Sequence, residues 1–269
     1  MKIGVCFKIV PDYEGLLPEE WQVPGNLDFT YVKKMYGCFD EPALEMALRI
    51  ADSCRACGME AEDVETVAVT CGAPEGAVSE SLLRALFAAG FSDVVLLPES
   101  GDFSPARTAK SLASWFTENP CDLILTGRMV GPGDSGMVPF YLAEELGVPL
   151  FTELVSAAYN GESGRLEITC KDSESLKTYS LSEPTVGTVG DAEAAYLRLF
   201  PLKARMEAKK RVFSQWEPAG ADSDNRIDTD AVLRSEPAEE TRQCRIIPAE
   251  DRTAAAKGLL GILRGEAER

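Results

Sequence analysis

A glycine-rich loop carries the clearest chemical signal in this sequence, because glycines let a backbone bend sharply and approach a ligand closely. The stretch from Cys121 to Pro149 combines a short apolar run, this loop and a helical pattern. The loop contains Gly127, Gly131, Gly133 and Gly136. Free N–H groups and the positive end of a helix dipole favour an anion at such a junction. The pattern therefore predicts a nucleotide phosphate site, although an ordinary tight strand-to-helix connection has the same form.

Histidine is absent from the sequence, which contains eight cysteines. The absence removes Ser-His-Asp, Cys-His and HExxH chemistry. Cys54 and Cys57 have CxxC spacing, but they lie in a helical pattern with no second pair, so chance spacing is favoured over a zinc or redox site. Any function is therefore expected to use bound cofactors, backbone groups, or carboxylate, Lys, Arg and Tyr side chains.

Charge and composition restrict the possible partners. The 269 residues carry a formal net charge of −17, with 45% apolar and 26% charged residues. A globular protein of this charge is a poor ligand for a nucleic-acid backbone or an anionic membrane surface. No run of about 18 apolar residues is present, so we expect no membrane insertion. The start of the chain does not read as a signal peptide, so a cytoplasmic protein with reduced thiols is expected.

Strands and helices alternate through the first part of the chain. The apolar runs predict strands at 2–7, 66–70, 93–97 and 122–126, and helical spacing predicts helices at 40–57, 78–90 and 105–118, with a fourth before Gly147. Asp40 is expected to cap the first helix. A weak hairpin pattern pairs 21–23 with 29–32. Four such repeats predict a doubly wound, mostly parallel α/β sheet, with ligands beyond the carboxyl ends of its strands.

The pattern changes after Pro149. Segments 151–158, 165–170 and 177–181 predict an antiparallel addition, and 185–189 predicts one more strand. Segment 196–211 is basic, with bulky apolar residues before it; it reads either as a solvated helix or as a docking segment. Residues 214–244 read as a polar arm, and 250–264 as a terminal helix expected to pack on a partner. We predict a nucleotide-binding domain at 1–200 and a docking segment, arm and helix at 201–269.

Several motifs in order resemble the beta subunit of electron-transfer flavoproteins, over nearly the whole chain. They are KIGVCFKIVPDY, CFDEPALEMALRI, VAVTCGAPEGAVSESLLRALFAAGFSDVVLL, DLILTGRMVGPGDSGMV, PLKARMEAKKR and AAAKGLLGILR. The resemblance implies a Rossmann-like, adenine-nucleotide-binding domain paired with an alpha subunit that holds most of the site for a redox-active FAD. It implies AMP, or a second FAD, in the chain's own site, and a role as electron carrier rather than stand-alone catalyst. Electrons would pass between flavin-dependent dehydrogenases and an acceptor.

The resemblance also assigns residues to that site. It places Cys6, Cys71 and the segment Gly37, Cys38, Phe39 and Asp40 beside the nucleotide. The nucleotide loop runs from Gly127 to Val138 and includes Arg128, Val130, Gly133, Asp134, Ser135, Gly136 and Met137. Phe200 matches the apolar anchor that docks the dehydrogenase, with Leu202 close by.

Other roles remain open for several of these residues. The cysteines and Phe200 could be packing residues, Asp134 could cap its helix, and Arg128 could contact the partner chain or solvent. Met137 stands where the family usually has Gln, and Gly37-Cys38 replaces Asn-Pro, which leaves AMP, FAD and an empty or altered site all open. A homodimeric nucleotide-binding regulatory protein is the alternative function. An adenylating or pyrophosphatase enzyme is disfavoured, because no Ser-Gly-Gly loop follows the first strand.

Overall fold

The chain folds into two compact units in a computed structural model that describes residues 1–16, 32–72, 77–98, 104–131, 135–217, 247 and 252–264. One unit comprises Met1–Leu17 with Asp28–Thr229, and the other comprises Pro18–Leu27 with Asp230–Arg269. The functional division predicted at residue 200 stays a prediction.

The larger unit is built on a nine-stranded sheet. Its elements are β1 (Lys2–Cys6), β2 (Ile9–Pro11), β3 (Lys34–Tyr36), α1 (Asp40–Ala56), β4 (Glu65–Cys71), α2 (Ala77–Ala89), β5 (Asp93–Leu97), α3 (Pro105–Glu118), β6 (Leu123–Gly127), α4 (Val138–Leu146), β7 (Leu150–Asn160), β8 (Arg165–Lys171), β9 (Leu176–Ser180), β10 (Thr185–Val189), α5 (Leu202–Ala208) and β11 (Ser214–Gln215). The smaller unit contains α6 (Arg252–Leu263).

Strand order confirms the predicted fold class. The sheet runs β11-β5-β4-β1-β6-β10-β7-β8-β9, and every pair from β11 to β7 is parallel. Among the described strands of this sheet, β8 alone runs antiparallel to its neighbours, and it forms the predicted addition with β7 and β9. A separate antiparallel pair joins β2 to β3. The β1-β4-β6 centre arises because short apolar strands that alternate with amphipathic helices can bury both faces of a parallel sheet.

Helices cover both faces of the sheet. Ile3 and Leu125 face α1 and α2 in one core cluster. Val69 and Ile124 face α3 and α4 in the second cluster. Side chains alternate between faces along each strand. Cys6 at the end of β1 lies in the second cluster, and Cys71 at the end of β4 packs against it.

Helix ends follow the sequence signals only in part. Gly147 ends α4 in the left-handed conformation, φ 65°, as its position predicts. Asp40 does not cap α1, because Phe39 is the N-cap residue and makes no side-chain cap hydrogen bond, while the Gly37 carbonyl accepts from the Asp40 and Glu41 amides at 2.9 and 3.0 Å. The Asp40 carboxylate instead accepts hydrogen bonds from the backbone amides of Lys8 and Gly127. The hairpin predicted within 21–32 falls almost entirely outside the described residues.

The first residues of the predicted arm belong to the sheet, and residues 218–244 of that prediction lie outside the described residues. Ser214 and Gln215 form an edge strand on β5, paired with Val95 and Leu96. The Ser214 hydroxyl donates to the Asp93 carboxylate at 2.6 Å, and the indole N–H of Trp216 donates to Glu118 at 2.8 Å. The prediction was wrong at residues 214–215, because these side-chain bonds fix a segment whose polar composition resembles a linker. In the described part of the chain, no helix combines the length and apolarity that crossing a bilayer requires.

Candidate functional site

Three predicted site residues meet at the carboxyl edge of the sheet. Cys6, Cys71 and Gly127 end the adjacent strands β1, β4 and β6. Cys6 pairs in register with Thr126, the residue before Gly127. Since ligands of open parallel sheets bind beyond this edge, the fold gathers these residues where a nucleotide would lie. Their contact with a ligand stays a prediction.

A row of small, uncharged side chains lines the α3/α4 face at this edge. Cys6, Thr126 and Thr188 are cross-strand partners, and Cys71 lies two residues beyond the partner of Cys6. Burial raises the pKa of Cys6 well above its ordinary value and that of Cys71 to about 12. Both thiols therefore remain protonated at neutral pH and do not supply a thiolate nucleophile.

Sequence reasoning missed the two threonines in this row. Thr126 is buried, and its hydroxyl oxygen has no hydrogen-bond partner among the described residues. The Thr188 hydroxyl accepts a hydrogen bond from the Glu153 amide at 3.3 Å. The sequence signal that could have identified Thr126 is its place at the end of an apolar strand, at the edge of the sheet where ligands bind. A buried hydroxyl without a partner is unfavourable, which marks Thr126 as a group that a ligand could satisfy.

Asp40 joins three segments of the site. Its carboxylate accepts a hydrogen bond from the Lys8 amide at 2.9 Å and another from the Gly127 amide at 3.1 Å. Lys8 follows β1, Asp40 begins α1 and Gly127 ends β6. The residue is only 4% exposed. The predicted adenine segment is therefore fixed to the predicted phosphate loop by a buried carboxylate.

Burial of Asp40 also changes its acidity. Desolvation raises its pKa to about 7, against the opposing effect of the two N–H groups and of nearby Lys8. Loss of hydration dominates because the carboxyl group is enclosed by backbone and apolar side chains. A proton on Asp40 would remove acceptor capacity from the junction between the loops. We therefore expect the hydrogen bonds at this junction to depend on pH near neutrality.

Two glycines make this junction possible. A Cβ atom added to Gly127 would contact the Asp40 carboxylate and lie 2.8 Å from the Phe39 carbonyl carbon. A Cβ atom on Gly37 would lie 2.5 Å from the Asp40 carboxylate and 2.5 Å from Val130 Cγ2. At each of the two positions, these distances are shorter than a Cβ atom can keep from another heavy atom. The segment 37–40 and the loop after β6 therefore approach each other only because both positions are glycine.

Arg128 begins the loop and is held on three sides. Its amide donates to the Val189 carbonyl at 3.1 Å. One terminal nitrogen, Nη1, lies 3.3 Å from the Glu153 carboxylate, and the guanidinium carbon lies 4.1 Å from the centre of the Phe39 ring. The Nε atom is buried without a hydrogen-bond partner among the described residues. Of the roles left open for Arg128, the structure therefore excludes a freely solvated side chain.

Glu153 adopts a conformation that is unfavourable for a side chain of its type. Its φ angle is 56°, in the left-handed region, and the residue was not identified from the sequence. This conformation costs about 1–2 kcal/mol for a residue other than glycine. In the ion pair with Arg128, the arginine side chain is 33% exposed and the Glu153 side chain 39% exposed. An ion pair of that exposure contributes about 1 kcal/mol or less to the free energy of unfolding. The ion pair alone therefore does not offset the backbone strain.

The remainder of the loop leads into α4. Gly136 is left-handed, with φ 61°, and a Cβ atom there would lie 3.0 Å from the Arg128 carbonyl oxygen. Ser135 accepts a hydrogen bond from the Met137 amide at 3.4 Å, and α4 begins at Val138. Cys38, in the opposing segment, is exposed. Gly133 and Asp134 lie outside the described residues, so their predicted roles stay predictions.

The predicted docking segment is anchored to α1. Arg198 donates to the buried Glu45 carboxylate through its amide at 2.9 Å and its side chain at 3.0 Å, and it reaches Asp52 at 2.7 Å. Phe200 is half-buried and packs against the core, whereas Leu202 is 74% exposed. The neighbouring Leu199, which sequence reasoning missed, is 99% exposed. Phe200 and Leu202 stay predictions as partner contacts, and Leu199 joins them as the most exposed apolar side chain of the segment.

Comparisons with known proteins agree with this architecture. The family model described as "Electron transfer flavoprotein domain" matches residues 37–221. The putative electron transfer flavoprotein subunit YgcR of Escherichia coli is 33% identical over 160 residues, which are 57% of this chain and 58% of that protein. The electron transfer flavoprotein subunit beta of Clostridium acetobutylicum is 27% identical over 174 residues, 64% of this chain and 62% of that protein. The acryloyl-CoA reductase electron transfer subunit gamma of Anaerotignum propionicum is 28% identical over 157 residues, 56% and 54% of the two chains.

The matched region includes most of the site, but not Cys6 or Lys8. Residues 37–221 contain the Gly37–Asp40 segment, Cys71, the loop after β6 and the docking segment. The match with each of these three relatives spans less than two thirds of that relative's own length. With more than half of its residues matched by one family model, and with relatives named as beta subunits, the chain belongs to the beta-subunit family of electron transfer flavoproteins.

Proposed function

We propose that this chain is the beta subunit of an electron carrier that pairs with an alpha subunit. The pair shuttles electrons between flavin-dependent dehydrogenases and an acceptor. The chain binds AMP or FAD in its own site, and the redox-active FAD is held mainly by the alpha subunit. The observation that carries this proposal is the junction of Asp40 with Gly127, because it joins the two predicted nucleotide segments at the ligand edge of the sheet.

The residues present are compatible with a bound nucleotide. Thr126 and Arg128 each hold a buried polar atom that has no partner among the described residues. Gly136 adds no side chain to the loop, so backbone amides stay accessible to phosphate oxygens. Met137 cannot donate a hydrogen bond from its side chain. Phosphate binding would therefore rest on main-chain amides and the Arg128 guanidinium, with the uncharged strand-end row beside the base or ribose.

Flavin supplies the one- and two-electron chemistry of such a carrier when it is bound. This chain contributes binding, orientation and exclusion of water. Among its described residues, the protonated Cys6 and Cys71 thiols contribute packing rather than nucleophilic chemistry. The chain is thus proposed as a carrier subunit and not as a stand-alone catalyst.

Partnered electron transfer is supported by the named relatives. One of them is an electron transfer subunit of acryloyl-CoA reductase, and another is named as a subunit of a caffeyl-CoA reductase–Etf complex. Leu199 and Leu202 present apolar surface beside the basic residues of α5 and the turn after it. An apolar anchor next to charges is a common arrangement for a transient protein contact.

Co-expression with an alpha-type subunit tests the proposal. We expect a yellow heterodimer with flavin absorption bands, and release of an adenine nucleotide beyond the flavin of the alpha subunit when the complex is denatured. Chromatography of the released compounds would distinguish AMP from FAD. A colourless homodimer that still binds nucleotide would favour the regulatory alternative. A protein that binds neither nucleotide nor alpha subunit would contradict both functions.

A further inference from the structure

Glu153 is the only non-glycine residue with a left-handed backbone in the described ranges. It lies where the pairing of β7 with β10 is irregular, since the register shifts between Gly187 and Val189. The left-handed backbone of Glu153 coincides with this irregularity, and its side chain and amide both make contacts there.

Three contacts fix the orientation of Glu153. Its amide donates to the Thr188 hydroxyl at 3.3 Å, and its carboxylate pairs with Arg128 Nη1 at 3.3 Å. The carboxylate also lies over Gly190, where an added Cβ atom would collide with it. The left-handed backbone thus directs the carboxylate to Arg128 across a surface that only glycine leaves open.

Because the ion pair with Arg128 does not offset the backbone strain, folding gains little from glutamate at this position. Asparagine and glycine adopt left-handed backbone with less strain. Retained strain at one residue is characteristic of functional sites. The contact that the strained conformation serves is the ion pair with Arg128, because this arginine directly follows Gly127 at the start of the predicted nucleotide loop.

We propose that Glu153 is a positioning residue that orients the Arg128 guanidinium toward the nucleotide phosphate. It occupies Nη1, and the Phe39 ring fixes the plane of the guanidinium from one face. The edge that carries Nε is then left for an anionic oxygen, and a planar guanidinium edge suits two phosphate oxygens. This inference rests on the proposed nucleotide site, and it assigns to the Glu153 carboxylate the orientation of the arginine that would contact the phosphate.

The test measures the affinity of the full chain for AMP and for adenosine by titration calorimetry. It compares the wild-type protein with Glu153→Gly, Glu153→Asn, Arg128→Gln and the double variant Glu153→Gly/Arg128→Gln. We expect the two Glu153 variants to weaken AMP binding about tenfold, the size of a charge-assisted hydrogen bond, and to change adenosine binding less than twofold. Their thermal midpoints should equal or exceed the wild-type value, because the strain is relieved.

The double variant tests whether Glu153 acts through Arg128. In the Arg128→Gln background, Glu153→Gly should cause no further loss of AMP affinity. The same loss in both backgrounds, equal losses for AMP and adenosine, or a lower thermal midpoint with unchanged AMP affinity would each overturn the proposal. Wild-type protein that binds neither ligand would overturn the proposed nucleotide site together with this inference, whereas wild-type binding with unaffected Glu153 variants would overturn the inference alone.

Discussion

The carboxylate of Asp40 accepts a hydrogen bond from the amide of Gly127 at 3.1 Å, although 87 positions separate the two residues in the sequence. The same carboxylate binds the Lys8 amide. One buried side chain thereby fixes the start of α1 to the ends of β1 and β6. The stability and the pH response of the site should both depend on this contact.

Replacement of Asp40 by asparagine should alter the pH dependence of stability. The pKa of Asp40 is raised to about 7 in the folded protein, so between its ordinary acidic value and about pH 7 the folded state binds more protons than the unfolded state. Stability is therefore lost as pH rises through this window, by a few kcal/mol. In Asp40→Asn that loss should be absent, so the difference between the wild-type and variant stability curves should change across this pH window.

Urea unfolding at several pH values between 4 and 8 measures the effect of Asp40→Asn. Asp40→Ala serves as the control, because it leaves the Lys8 and Gly127 amides without an acceptor and should destabilise the protein at every pH. Parallel curves for wild-type protein and Asp40→Asn would contradict the raised pKa.

Substitution of Gly127 should disrupt the junction by steric overlap. In Gly127→Ala the new methyl group meets the Asp40 carboxylate and the Phe39 backbone, and we expect a loss of about 3 kcal/mol in unfolding free energy. Gly15→Ala is the matched control, since its nearest neighbour among the described residues would be Val32 Cγ1 at 3.9 Å, and it should change stability by less than about 0.5 kcal/mol. Equal stabilities of the two variants would refute the close approach.

Arg198 should be essential for holding the docking segment on α1. Arg198→Ala leaves the buried Glu45 carboxylate with Arg49 as its remaining cation, at 3.3 Å, and should destabilise the protein by about 3 kcal/mol. Arg55→Ala removes only an exposed pair with Asp52 and should change stability by no more than about 0.5 kcal/mol. Denaturant midpoints measure both effects. A loss in Arg198→Ala as small as that in Arg55→Ala would contradict the anchoring role.

Substitutions of Leu199 and Phe200 should distinguish a role in partner docking from a role in core packing. Leu199→Ala removes a fully exposed side chain, so stability and flavin content should stay normal while electron transfer with the dehydrogenase partner slows. Phe200→Ala should slow transfer as predicted from the family position, and it should also lower stability because Phe200 packs on the core. Stopped-flow transfer rates provide the measurement. Normal rates in both variants would exclude this segment as the docking surface.

The sequence predicted the elements whose signals are local. Asp93–Leu97, Pro105–Glu118 and Thr185–Val189 have the predicted bounds, because an apolar run or an amphipathic repeat with clear flanking residues defines each. The end of α4 followed from Gly147. These features depend on neighbours along the chain, so a pattern was sufficient to find them.

The features that could not be predicted depend on distant contacts. Asp40 has the sequence context of a helix cap, and only the approach of Gly127 makes it a link between loops. Glu153 appears as an ordinary strand residue until Arg128 and Gly190 surround it. Ser214 resembles the start of a linker but pairs with β5. In each case tertiary contacts override the local preference of the residue.

The nucleotide content of the purified complex tests the central claim most directly. After denaturation, the wild-type protein should release about one equivalent of adenine nucleotide per copy of this chain, in addition to the flavin of the alpha subunit. Gly136→Asp should abolish binding of that nucleotide, because the new side chain occupies space beside the Arg128 carbonyl and its carboxylate repels the phosphate. Gly164→Asp, at a left-handed glycine in the β7–β8 turn, should retain it. Absence of the nucleotide from the wild-type complex, or its full retention in Gly136→Asp, would contradict the proposed site.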